Sequence, residues 1–238
     1  MSEPLSRQDR LEKINGILAE YRLPPWKDAR LGDPAEGQCE VLDLADLQEL
    51  GDRRIALTLR VRDPLGEERR VTVNVGGALV YVVPLLNLLD GEDAGNGPMC
   101  CFVKRWRIEH GEFSYELPHA LVPEGSLGGT LDPMDSPSHR VLAAAFGPES
   151  VDALTAAKIV PVGTFRVKGE ARPAEAYILA ATVLKPFMRR KGDGAVVKLA
   201  WPKVAPLVES GKHVTEPVSA AALHLALRMY PPQKKNER

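Results

Sequence analysis

Residues 116–147, ELPHALVPEGSLGGTLDPMDSPSHRVLAAAFG, decide how the rest of the chain is read. Ser136 before Pro137 is a strong helix start, because the hydroxyl accepts an orphaned backbone N–H and proline at the first helical position gives up no bonded donor. Gly147 is an equally good stop, since glycine adopts a left-handed helix terminus without steric cost. The alanines at 143, 144 and 145 favour helix strongly. The predicted helix carries no carboxylate anywhere along its length.

Arg140-Val141-Leu142-Ala143-Ala144-Ala145-Phe146-Gly147 resembles the end of the Nudix box, whose pattern runs Arg, Glu, apolar, any, Glu, Glu, any, Gly, apolar. Arg140, Leu142 and Gly147 match that pattern. Its glutamate positions fall on Val141, Ala144 and Ala145, and its closing apolar position falls on Pro148. Counting back, the earlier glutamate falls on Asp132 and the opening glycine on Ser126, one residue after Gly125. Residues three and four apart share a helical face, so glutamates at 141, 144 and 145 would present clustered carboxylates to a hard cation such as Mg2+. Valine and alanine offer none. The resemblance therefore implies a degenerate box kept for structure, with Arg140, Leu142 and Gly147 in structural roles and no metal site.

Outward from this stretch, Leu11, Ile14, Leu18 and Tyr21 recur at helical spacing, so a helix is expected over 5–21 with Ser6 as its cap and Pro24-Pro25 beyond its end. Trp26 follows in a proline-flanked, charged segment. It reads as a surface or interface residue, either a buried anchor or a platform on which adenine stacks. Ile55, Leu57, Leu59 and Val61 alternate with polar residues, as do Val71, Val73 and Val75, and Asp63-Pro64-Leu65-Gly66 between them predicts a hairpin. The run 78–86 is more continuously apolar and so more buried. Strands are also expected at 99–107, 158–165 and 175–183.

The resemblance extends to the ADP-ribose pyrophosphatase branch of the Nudix proteins. Pro64-Leu65-Gly66, Gly77-Ala78, Lys104-Arg105-Trp106-Arg107 and Glu116-Leu117-Pro118-His119-Ala120 stand in the branch's order, with Ala120 where it has glycine. Leu207 to Gly211 and Pro217 to Leu223 match its C-terminal pattern, in which one helix ends at glycine and another soon begins. The implied fold is α+β, a Nudix-type α/β/α sandwich with a mixed sheet, preceded by an N-terminal helix and antiparallel strands. The implied organisation is an N-terminal extension over 1–75 that pairs two subunits into a homodimer, a Nudix-like domain over 76–230, and a disordered tail over 231–238. The candidate ligand-binding set is Arg105, Arg107, Glu116, Arg189, Arg190 and Trp26. Arg107 and Glu116 read equally well as an internal ion pair. Arg189, Arg190 and Lys191 read as a phosphate contact or as a solvated loop.

Composition narrows the function classes. The chain has 238 residues, 44% of them hydrophobic and 26% charged, with a net charge of −1. That balance argues against a broad nucleic-acid footprint. No apolar run approaches the ~20 residues of a membrane helix, and the N-terminus has no basic-then-apolar leader. Cys39, Cys100 and Cys101 are odd in number and lack zinc spacing, so reduced thiols in the cytoplasm are expected. The histidines at 110, 119, 139, 213 and 224 are dispersed, and no nucleophile elbow or phosphate-binding glycine loop occurs.

These readings lead to a non-hydrolytic, Nudix-fold protein that binds an ADP-ribose-like nucleotide or serves as a scaffold with a protein partner, and needs no cofactor. One alternative is a hydrolase of a nucleoside diphosphate-linked substrate that uses Mg2+ with Glu116 or Asp132 in a rebuilt site. Another is a structural subunit of a larger assembly.

Overall fold

The computed structural model describes residues 5–51, 54–88, 97–107, 111–122, 137–147, 154–183, 194–214 and 216–232. They form two compact units, Met1–Gly77 with Val167–Arg172, and Ala78–Arg166 with Pro173–Arg238. Several residues singled out in the sequence lie outside the described residues: His110, Gly125, Ser126, Asp132, Ser136, Pro148, Arg189, Arg190 and Lys191, together with the tail from 233.

The first unit begins with helix α1 (Arg7–Glu20). Ser6 caps it in a reciprocal box, its hydroxyl accepting from the Asp9 N–H while Asp9 accepts from the Ser6 N–H, each at 3.1 Å. Ile14 and Leu18 face inward, and the helix closes where Arg22 takes φ 56 and the Leu23 N–H reaches the Leu18 carbonyl at 2.8 Å. Strands β1 (Glu40–Gly51), β2 (Arg54–Arg62) and β3 (Glu68–Val75) then form an antiparallel sheet in that order. The side-chain period of two puts Ile55, Leu57, Leu59 and Val61 on one face opposite Val75, Val73, Val71 and Arg69, and this face closes on α1. At the β2–β3 turn the Asp63 carboxylate accepts from the Leu65 and Glu67 N–H groups, each at 2.9 Å, and Gly66 supplies φ 90.

Although the segment around it read as surface or interface, Trp26 fits the buried-anchor alternative, being 6% exposed within the α1–sheet core. The cause lies eleven residues earlier: Asn15 uses its amide to bind both the Trp26 N–H (2.7 Å) and the Trp26 carbonyl (3.1 Å), turning the indole under the helix. Gly32 fixes the same segment, because at φ +73 a Cβ there would lie 1.9 Å from the Cys39 carbonyl oxygen. The loop Val167–Arg172 completes the unit. Its Gly169 carbonyl accepts from the Asn74 N–H at 2.8 Å, and Glu170 binds the Asn74 amide at 3.0 Å and Arg54 at 3.4 Å.

The second unit is a mixed sheet with helices on both faces. Its strands are β4 (Ala78–Leu88), β5 (Met99–Arg107), β6 (Glu112–Glu116), β7 (His119–Val122), β8 (Leu154–Phe165), β9 (Ala174–Val183) and β10 (Val196–Ala200). The central order is β10-β5-β4-β9-β8, with β4 and β9 parallel and the other pairs antiparallel. Helix α2 (Pro137–Phe146) packs on one face, where Val80, Val82, Leu86, Cys101 and Leu179 meet Val141, Leu142 and Phe146. Alternation sends Tyr81 to the other face, beside α3 (Trp201–Ser210) and α4 (Pro217–Met229). Proline stands in the opening turn of each of these helices, and Gly211 ends α3 with φ 63. Because both faces are covered, the adjacent Cys100 and Cys101 are both fully buried. The chain is thus an α+β fold, and among the described residues no helix is long and apolar enough to cross a membrane.

Candidate functional site

Strands β4 and β5 pair only at Leu85–Cys100 and Leu86–Met99, then diverge. The gap is filled from both sides, β6 pairing with β5 and β7 with β4, and the Val82 N–H reaches the Pro118 carbonyl at 2.9 Å. A fork of this kind satisfies the backbone groups of both strands.

Register decides which side chains share a face at the fork. Val103 lies opposite Glu116, Arg105 opposite Ser114, and Arg107 opposite Glu112. Directly paired residues share a face, and Val103 belongs to the cluster that contains Val141 and Leu142. Arg105, Arg107 and Glu116 therefore lie on the α2 side of the sheet. Glu116 is 1% exposed, and a buried carboxylate needs a compensating charge. The Arg107 guanidinium supplies it, with Nε 2.5 Å from Oε1. The Arg107 side chain is 33% exposed against 2% for Glu116, so the cation connects a buried anion to solvent. Arg105, two residues back, is exposed.

Helix α2 presents Val141, Ala144 and Ala145 very differently. Val141 is 0% exposed inside the core, Ala145 packs against the same cluster, and Ala144 is exposed. Two of the three glutamate positions of the resembled box thus serve apolar packing. Leu142 is buried, Arg140 is exposed, and Gly147 ends the helix with φ 97 as its N–H bonds the Ala143 carbonyl at 2.9 Å. Among the described residues no three His, Cys, Asp or Glu side chains converge into a metal-binding group.

On the opposite face lies a polar cluster that sequence reading missed. The Tyr81 hydroxyl donates to Glu216 at 3.4 Å, and its ring stacks on His119 at 4.7 Å. Burial, followed by the charge of Glu216, pushes the Tyr81 phenol up, so it stays a donor. Glu216 caps α4 by accepting from the Val218 and Ser219 N–H groups, and the Ser219 hydroxyl accepts from the Leu117 N–H at 3.0 Å. The fork is thereby tied to the start of α4. The helix start at Pro217 was legible, but Tyr81 sits in an apolar run with nothing local to mark it.

The sequence-selected residues do not all converge. Arg105, Arg107 and Glu116 share one strand pair, whereas Trp26 belongs to the core of the first unit. Asp132, Arg189 and Arg190 lie outside the described residues.

No family model matches the chain, and no curated protein matches it. Among solved structures it is similar to one described as a crystal structure of ADP compounds hydrolase, with 10% identity, a TM-score of 0.48, and coverage of 80% of this chain and 93% of that one.

Proposed function

We propose that this chain is a Nudix-type protein of the ADP-ribose pyrophosphatase kind that has lost hydrolysis and binds an ADP-ribose-like nucleotide through cations rather than through a metal. The observation that carries the reading is the burial of Val141 in the core of the second unit. A carboxylate at that position would have to leave an apolar cluster before it could hold a cation. Arg105 and Arg107 supply the guanidinium chemistry that suits a diphosphate. The same proposal makes the protein a cytoplasmic homodimer assembled through its N-terminal strands.

Purified protein is expected to leave ADP-ribose, NADH and nucleoside diphosphate sugars intact with Mg2+ or Mn2+, because charge stabilisation and water activation by metal are both missing. Calorimetry is expected to show micromolar or weaker ADP-ribose binding, unchanged by chelator, weakened by salt and reduced by Arg105→Ala. Metal-dependent turnover abolished by Asp132→Ala or Glu116→Ala would overturn the reading in favour of a rebuilt hydrolase. The engagement of Arg107 by buried Glu116 favours a second reading, a vestigial cleft on a scaffold or structural subunit. That reading takes over if no nucleotide in a broad panel shifts the melting temperature.

A further inference from the structure

The first unit contains a groove of about 380 Å3 lined by Trp26, Arg30, Cys39, Leu59, Arg69 and Val71, among others. Its floor is the end of the β2–β3 face that Leu59, Val61, Val71 and Val73 present. That volume is at the small end of ligand-pocket sizes, and an apolar concavity with a few placed polar groups is the usual composition of such a site.

Two cations in the lining share one chemistry. The Arg30 guanidinium lies over the Trp26 ring, 5.4 Å from its centroid, and Arg69 directs Nη2 at the Cys39 sulfur from 3.7 Å. Neither cation has a carboxylate within ion-pair distance among the described residues, whereas Arg7, Arg10, Arg54 and Arg62 of the same unit each do. Guanidiniums suit planar anions. Two cations beside an apolar floor call for an acceptor joined to an apolar body.

We propose that this groove is a binding site for a small organic anion with an apolar body, a monocarboxylate of medium chain length being the best match. The anion lies between Arg30 and Arg69, and the chain lies along Leu59, Val61, Val71 and Val73. This site is separate from the Arg105–Arg107–Glu116 fork and stands or falls independently of nucleotide binding.

Cys39 supplies the readout. It is the partly exposed thiol of the three, while Cys100 and Cys101 are fully buried, so a thiol reagent applied to the native protein reports on the groove. Octanoate is expected to slow Cys39 alkylation by about tenfold or more at saturation, with octanol and octylamine far weaker and inorganic phosphate and ADP-ribose without effect. The Arg30→Ala/Arg69→Ala variant is expected to lose the protection while keeping the native melting temperature. Equal protection by octanol and octanoate would overturn the proposal, as would protection that survives in the double arginine variant. Stronger protection by ADP-ribose, or by octyl phosphate, would assign the groove to a phosphate ligand and overturn it as well.

Discussion

Val141 shows what a single side chain settles. The sequence places it where the resembled box has a metal-binding glutamate, and the fold places it at 0% exposure among Val80, Val82, Leu142 and Phe146. Val141→Glu is expected to cost at least about 3 kcal/mol, because the carboxylate would have no cation or donor in that cluster. For a chain of this size that lowers the thermal midpoint by roughly 6–12 °C. Ala144→Glu, on the exposed side of α2, is expected to stay within about 0.5 kcal/mol of the parent. A Val141→Glu midpoint that is unchanged, or rescued by Mg2+, would contradict this. Residue-level legibility was uneven for a physical reason. The register that brings Glu116 beside Arg107 follows from strand pairing, so the sequence left an ion pair and a ligand contact equally open. Trp26 was left open between a buried anchor and a stacking platform, because its burial depends on the Asn15 amide, a contact with no local signature.

Elements with strong periodicity or punctuation were legible and short tertiary ones were not. Alternation gave β2 and β3, and Gly211 and Pro217 marked the end of α3 and the start of α4. Strands β6, β7 and β10 have four or five residues each, and β6 and β7 exist because the diverging β4 and β5 expose backbone groups that need partners. Helix α1 was visible, but not what fastens it. Arg7 meets Asp28 at 2.8 Å, Lys13 meets Asp43 at 2.9 Å, and the Tyr21 hydroxyl donates to Glu49 at 2.6 Å. The hydrogen bonds from Arg7 and Lys13 hold Asp28 and Asp43 below the ordinary aspartate range. A carboxyl group with a depressed folded-state value adds stability that is fully present at neutral pH and is lost as pH falls below about 4. The hydrogen bond to Glu49 raises Tyr21, so its contribution is present at neutral pH and is lost only as pH rises beyond about 10. Amide exchange in α1, corrected for intrinsic rates, is expected to lose protection below about pH 4 while β4 and β9 keep theirs. The Asp28→Asn/Asp43→Asn variant is expected to show the weaker protection already at neutral pH. A parallel loss in α1 and the central sheet would instead mean global acid unfolding.

At the scale of the molecule, Val167–Arg172 returns from the β8–β9 connection to complete the first unit. In the sequence that loop is only the stretch between two expected strands, because nothing within it reveals its pairing with Asn74. The three-stranded sheet nevertheless keeps an edge at β1, which runs for twelve residues and has a neighbour only in β2 among the described residues. A long open edge is a template for another chain, and natural proteins cover or blunt such edges. Charge does not protect this one fully. Glu40 and Asp43 are already paired with Arg10 and Lys13, and Glu49 accepts from Tyr21, so the acidic row of β1 is largely answered within its own unit. Two copies related by a two-fold axis can therefore meet along β1 with the same surface contributed by each. Light scattering at micromolar concentration is expected to give twice the 26.0 kDa chain mass, with more than roughly 1,000 Å2 buried in total. Because the contact is attributed to an edge, Gln48→Pro, at an exposed-edge strand position where proline removes a backbone donor, is expected to shift the mass towards the monomer. A monomeric parent, or a dimer indifferent to changes along β1, would place the assembly elsewhere on the protein.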